Sequence, residues 1–416
     1  MGEGIVTGRF LSAAASCFFM TVVFFVRFTA VPSYSMEVLG TDATVAGVVA
    51  GVFIIGDIAG RAVLGSRIWE IGPNRLCVGS MAAGTALSAV CLLTDDMGAI
   101  CVAGLAQGFT YGVAELCVFS RISADLPPGL RGRGMGYFTL SYSLASAVGP
   151  FMSIHMVNAG LYRDVFLIGL TASALSAVSA LGMGKDGKTG IETSAGPRPT
   201  PAVRRALPIS AVTFVFLVSY SGVLTFIAPY GMEKGLEDYA AAFYIVLSAA
   251  TVVSRVAVMR GYDSSGPDRV MIPMLTIHVA GMILLGLTQS GIQMMASAFL
   301  IGLALASVQA TSQAMAVEGL DARSQSASLA TVQVFIDLSY FVGPVANGAA
   351  SSALGYSGCY IAMAGIGAAA LLLYLILCSK GGRRFESARG RKEIMKNGAG
   401  NGVRTHDLRI SLEEVY

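Results

Sequence analysis

Charge is what this sequence has least of. Asp, Glu, Lys and Arg make up 13% of its 416 residues, against roughly a quarter in an ordinary soluble domain. A water-soluble chain of this length must cover its surface with polar atoms, so the shortage excludes a soluble globule and asks for one dissolved in lipid. Histidine is nearly absent, at three residues. The seven cysteines (Cys17, Cys77, Cys91, Cys101, Cys117, Cys359 and Cys378) form no CxxC pair and sit at no ligand spacing from histidine. That excludes a zinc ribbon or a disulfide framework, and scattered buried thiols are expected instead. The net charge is only +3, and no basic patch interleaves with aromatics, so nucleic acid is not an expected partner. Clustered His, Asp or Glu ligands are also missing. The chain is therefore not expected to be an enzyme, and no metal or other cofactor is expected.

What is present is apolar. Hydrophobic residues make up 54% of the chain, and the mean hydropathy is +0.68. A helix crossing a bilayer needs about 20 mostly apolar residues. Twelve such stretches are expected, near 10–33, 44–66, 76–94, 98–120, 134–157, 162–182, 207–231, 238–259, 269–288, 291–315, 326–349 and 355–378. The first begins near Phe10 and lacks a small-residue cleavage site, so it reads as a retained helix. The longest connection, 184–206, holds Lys185, Lys188, Arg198, Arg204 and Arg205 with several prolines and glycines. It reads as a flexible linker between a six-helix half over 1–183 and another over 207–379. The polar stretch 380–416 is expected to be a disordered tail.

Basic residues choose the orientation. One set of loops carries Arg67, Arg75, Arg121, Arg131, Arg133, the linker cations, Arg260, Arg269 and Arg323. The opposite set carries chiefly Arg163 and Lys234, beside Glu37, Asp95, Asp96, Glu233 and Asp238. The basic side is expected in the cytoplasm, with both termini, for a protein of the cytoplasmic (inner) membrane.

The halves repeat. Gly60-Arg61 precedes Gly72, Pro73, Asn74 and Arg75, and Ser254-Arg255 precedes Gly266, Pro267, Asp268 and Arg269 at the same spacing. Gly149-Pro150 returns as Gly343-Pro344, with the same shift of 194 residues. Two unrelated landmarks sharing one shift point to an internal duplication, a frequent build of secondary transporters. A Gly-Pro pair inside a span removes a backbone hydrogen bond and permits a bend. Small residues four apart let helices approach closely.

Three motifs carry a family resemblance. Gly65, Arg67, Trp69, Glu70, Gly72 and Arg75 form a loop motif, whose second copy runs from Arg255 through Asp263 and Gly266 to Arg269. Gly104, Gln107 and Gly108 follow an Arg-x-x-Gln-Gly pattern with Gly104 in place of the arginine. Ala145, Gly149 and Pro150 follow a Gly-x-x-x-Gly-Pro antiporter pattern with alanine first. With these motifs in register, the sequence resembles the major facilitator superfamily over nearly its whole length, particularly exporters of small metabolites, opine-type metallophores and drugs. The resemblance implies an all-α membrane fold of twelve helices in two pseudo-symmetric bundles, with helices one, four, seven and ten around a central cavity. It also implies a cytoplasmic latch in the loop motif. Trp69 stands where the family has its acid, so the first copy lacks that element.

Ionisable residues inside apolar spans are the sharpest functional clues, because each costs about 2.5–3.5 kcal/mol at a helix centre unless partnered or wet. Arg27 is expected to face the cavity and favour an anionic or zwitterionic substrate. Its alternatives are snorkelling to the surface or pairing with Asp57 or Glu115. Asp57 and Arg61, four apart, share a helix face and read as a local pair with a gating role. Glu115 and Asp337 are carboxylates at membrane depth and are the expected proton carriers. His278 and His155 are expected to be packing residues. Tyr34, Gln107, Tyr111, Tyr220, Gln309 and Gln313 are the remaining expected cavity residues. Together these readings predict a monomer in the lipid bilayer, exporting a small organic molecule in exchange for protons. Proton-coupled uptake of a sugar or organic acid is the alternative.

Overall fold

The computed structural model describes residues 7–126, 131–184, 200–320 and 322–379, with some side chains inside these ranges left undescribed. The interior of the expected linker and the whole expected tail lie outside the described residues. Every regular element described is helical. In chain order they are α1 (Gly8–Glu37), α2 (Ala43–Leu64), a 3-10 turn (Gly65–Arg67), α3 (Ile68–Ile71), α4 (Pro73–Leu93) and α5 (Met97–Asp125). Then come α6 (Arg131–Asn158), α7 (Tyr162–Leu181), α8 (Thr200–Lys234), α9 (Glu237–Ser265), α10 (Asp268–Gly286), α11 (Gly291–Val317) and α12 (Ala322–Leu377). α12 is two helices meeting at Gly355, where φ is 69° and ψ 171°. Among the described residues, nine helices are long and apolar enough to cross a membrane.

Local chemistry sets the ends. Asp42 accepts from the Val45 amide at 2.8 Å and Asp96 from the Ala99 amide at 2.7 Å, satisfying first-turn donors that have no partner within the helix. α8 begins at Thr200, seven residues before its expected start, because a polar first turn escapes an apolarity window.

Glycine decides how the helices meet. A Cβ on Gly108 of α5 would collide with the Phe53 carbonyl oxygen of α2. A Cβ on Gly302 of α11 would collide with the Leu247 carbonyl oxygen of α9. Both partners of the second contact are the first pair shifted by 194 residues, so the sequence repeat recurs as a repeated backbone contact. The Gly-Pro pairs also correspond. A Cβ on Gly149 would lie 2.9 Å from Phe25 Cβ on α1, and one on Gly343 would press on Ser221 and lie 3.3 Å from Val218 Cα on α8. These contacts are backbone to backbone or nearly so, and cannot yield by rotating a side chain. Gly302→Val is therefore expected to cost about 3 kcal/mol or to prevent folding. Gly365→Ala, with nothing within 4 Å of the new methyl, is expected to be neutral or slightly stabilising. Thermal unfolding of the two variants in detergent separates these outcomes.

The first six long helices and the remainder touch chiefly toward one end. Thr44 Oγ1 is 3.3 Å from Ser352 Oγ, and Tyr356 donates to Met36 Sδ at 3.6 Å. Asn158 donates to the Glu237 carbonyl at 3.0 Å. Gly47 of α2 lies under the Pro344 carbonyl of α12. All belong to the end that holds the α1–α2 turn.

Candidate functional site

Toward the opposite end, where α2, α5 and α11 finish and α12 begins, the helices enclose a cavity of about 510 Å³. Its wall combines Phe24 of α1, Tyr111 and Phe119 of α5, Tyr142 of α6, Gln309 and Gln313 of α11, and Gln333 and Tyr340 of α12. A narrower chamber of about 60 Å³ continues from it past Tyr142, Gln309 and Tyr340 to Tyr220, Ser143, Ser146 and Thr251.

One guanidinium organises the floor. Arg61 donates its Nε to Asp57 Oδ1 at 2.9 Å and its Nη2 to Asp57 Oδ2. Its Nη1 lies 3.2 Å from Asp337 Oδ2, and its Nη2 lies 3.6 Å from Glu115 Oε2. Gln333 donates to the other Asp337 oxygen at 2.9 Å. Three helices thus deliver three carboxylates to one cation. The pair expected as a local gate and the acids expected as proton carriers form one cluster. The Asp57 side chain is 4% exposed and that of Glu115 19%.

A glycine stripe on α5 makes room. Gly104, Gly108 and Gly112 are four apart on one face. Added Cβ atoms there would meet, in turn, the Arg27 guanidinium, the Phe53 carbonyl and the Asp57 carboxylate. Gly112 is what lets Asp57 lie beneath α5, within reach of Glu115.

Three expected cavity residues are elsewhere. Arg27 turns away from the cavity into a tight space among α1, α4, α5 and α7. There Nη2 donates to the Ile100 carbonyl at 3.0 Å and Nη1 to Cys91 Sγ at 3.5 Å. It neither snorkels nor pairs with Asp57 or Glu115, because the missing side chain of Gly104 offers a nearer berth. Gln107 points the same way and donates to Ser88 Oγ at 2.7 Å. Tyr34 donates to Asp95 at 2.8 Å and packs on Phe166. Tyr111, Gln309, Gln313, Glu115 and Asp337 line the main cavity, and Tyr220 lines its extension.

The loop motifs are partly described. Gly65 opens the 3-10 turn, and Gly72 and Gly266 take positive φ of 105° and 81°, a conformation that favours glycine. Arg75 and Arg269 are exposed. The side chains of Arg255, Asp263 and Trp69 lie outside the described residues. His278 contacts Ser219 Oγ at 2.9 Å through Nε2 and packs on Phe216. His155 stacks on Phe151. His278 is fully buried, whereas His155 is exposed.

Sequence reasoning missed Tyr142, Gln333 and Tyr340. Gln333 carried a signal, since it lies one helical turn before Asp337. It also missed Asn347, which is fully buried and donates to the Val218 and Gly343 carbonyls at 3.0 and 2.7 Å.

The sequence model of the Major Facilitator Superfamily matches residues 12–264 and 262–404. The uncharacterized MFS-type transporter YhhS of Escherichia coli K12 is 26% identical over 359 residues, covering 82% of this chain and 85% of the relative. Among solved structures, the nucleoside transporter NupG superposes with a TM-score of 0.72 at 11% identity, covering 90% of this chain and 100% of that one. A D-xylose–proton symporter superposes with a TM-score of 0.67 at 15% identity, covering 88% of this chain and 97% of that one. At such identities the two structures speak for the fold alone.

Proposed function

The chain belongs to the Major Facilitator Superfamily, a family of secondary transporters of small molecules, and on that premise we propose that it exports its substrate in exchange for protons by alternating access. The observation that carries this reading is the cavity cluster. Three carboxyl groups share one guanidinium, so when all three are ionised the cluster has room for further positive charge that enters and leaves. Protons fit that role, and Glu115 and Asp337 are their carriers. Asp57, held by two prongs of Arg61, is the fixed member.

The architecture of this reading is twelve spans in two sets of six, related by a pseudo-twofold axis along the membrane normal. The repeated Gly108–Phe53 and Gly302–Leu247 contacts support it, as does counting α12 as two spans hinged at Gly355. The halves are 1–183 and 207–379, working as a monomer with both termini in the cytoplasm of a cell whose inner membrane holds the protein. The cavity then faces the cytoplasm, since its lining clusters toward the helix ends on the basic side. Substrate enters from the cell interior in this state, and the contacts around Thr44–Ser352 and Met36–Tyr356 close the outer side.

Glu115→Gln and Asp337→Asn keep shape and remove charge. Each is expected to reduce pH-gradient-driven transport in proteoliposomes at least tenfold, while gradient-free exchange survives in at least one of them. If both variants still transport uphill at the parent rate, the coupling site lies elsewhere.

A further inference from the structure

Resting on the proton-exchange reading, we infer that the cargo is an organic cation, and that Arg61 holds the seat its positive charge will take at Asp337. The argument begins with the sign of the cavity. Its described lining carries one guanidinium and three carboxylates. Arg27, the residue from which an anionic cargo was expected, is buried outside it. A cargo carboxylate would have to draw Arg61 off its partners, leaving three acids facing an anion, and stranding charges at a half-buried site is costly. A cargo cation meets carboxyl groups that Arg61 alone does not saturate.

The geometry selects Asp337 as the contested carboxylate. Arg61 is bound to Asp57 on its own helix by two hydrogen bonds, one turn away. It reaches Asp337 with a single contact across to α12. Gln333 holds the far oxygen of Asp337, so the carboxylate stays presented to the cavity when that contact is lost. Aromatic rings stand beside it. Tyr340 is one turn along α12, and Phe24 packs against both Tyr340 and Tyr111, with ring centroids 6.3 and 5.7 Å apart. Such faces attract cations as well as apolar bodies. The volume of about 510 Å³ suits a small organic molecule.

The same arrangement makes cargo occupancy mechanical. When the cargo takes Asp337, Arg61 stays with Asp57 and the polar tie between α2 and α12 at the cavity end is released. These are the helices whose backbones also touch at Gly47 and Pro344. Protons compete for the same acids. The charged groups facing the cluster are Asp57 and Arg61 from α2, Glu115 from α5 and Asp337 from α12, with the tyrosines Tyr111, Tyr142 and Tyr340 from α5, α6 and α12.

Equilibrium binding to the purified full chain in nanodiscs, without any gradient, tests the inference. The probes are tetraphenylphosphonium, ethidium and phenethylammonium, set against tetraphenylborate and phenylacetate. At least one cation is expected to bind and neither anion. Asp337→Asn is expected to weaken the cation at least tenfold, whereas Arg61→Gln, which removes the competitor, tightens it threefold or more. On the parent protein, binding weakens as pH falls from 8 to 5 and releases protons. That arm stands even if a variant fails to fold. Binding of phenylacetate in preference to all three cations overturns the inference, as does an Asp337→Asn variant that binds the cation unchanged. Cation binding without proton release leaves the cation inference standing and removes proton exchange. Failure of every cation, with gradient-driven proton flux still lost in Asp337→Asn, removes the inference and leaves proton coupling intact.

Discussion

Arg61→Gln is expected to be the most damaging polar substitution in the cavity, and its damage is expected to fade as pH falls. The parent places one guanidinium among Asp57, Glu115 and Asp337. Glutamine keeps a donor but no charge, so three carboxylates face one another with no cation between them. Removing one partner from a buried ion pair costs roughly 3–5 kcal/mol. The Arg61 side chain is 18% exposed, and water in the cavity screens part of this, so about 2 kcal/mol is the expected loss at neutral pH. The sign with pH follows from the charges. At high pH all three acids are ionised and the penalty is greatest. As pH falls they take protons, repulsion disappears, and variant and parent converge. Glu115→Gln or Asp337→Asn in the Arg61→Gln background removes one of the repelling charges and is expected to return about half of the loss. Thermal unfolding of the four proteins between pH 5 and 8 reads the pattern. A deficit that is the same at every pH would mean that Arg61 acts through packing rather than charge.

The members of this cluster were legible one by one in the sequence, but the cluster was not. Asp57 and Arg61 are four apart on a helix, and that spacing alone predicts their hydrogen bonds. Glu115 and Asp337 stand out as acids in apolar spans. Nothing local joins Asp337 to Arg61, because their meeting depends on how α12 lies against α2. That in turn depends on Gly47, Gly51 and Gly348, whose hydrogens are all that the backbone or side chains of the facing helix leave room for. The helices themselves were readable from apolar length, with ends missed where a polar turn extends them, as at Thr200. Arg27 fails for a different reason. Its depth in the membrane was readable, but its direction around α1 was not. That helix is buried on every side from Met20 to Ser35, so no polar stripe marks which face meets the cavity. The signal that could have placed Arg27 lies on another helix, in the glycine at 104 where the family pattern has an arginine.

That glycine gives the second large effect. Gly104→Arg is expected to prevent folding or to cost about 4 kcal/mol. A Cβ at residue 104 would already collide with the Arg27 guanidinium. A full side chain would force two cations into a space that offers the Ile100 carbonyl and the Cys91 sulfur but no carboxylate. Overpacking and an uncompensated buried charge then add. Arg27→Ala alone empties the space and leaves the Ile100 contact unmade, for a loss of about 2–3 kcal/mol. The double variant Arg27→Ala with Gly104→Arg puts one guanidinium back, now carried by α5 instead of α1. Residues in direct contact couple by up to about 3 kcal/mol, so the double variant is expected to be more stable than Gly104→Arg alone, against the additive expectation. Yield from the membrane and melting in detergent measure this. A Gly104→Arg protein as stable as its parent would mean that Arg27 does not occupy this berth. If the single losses add without coupling, the two positions share no space.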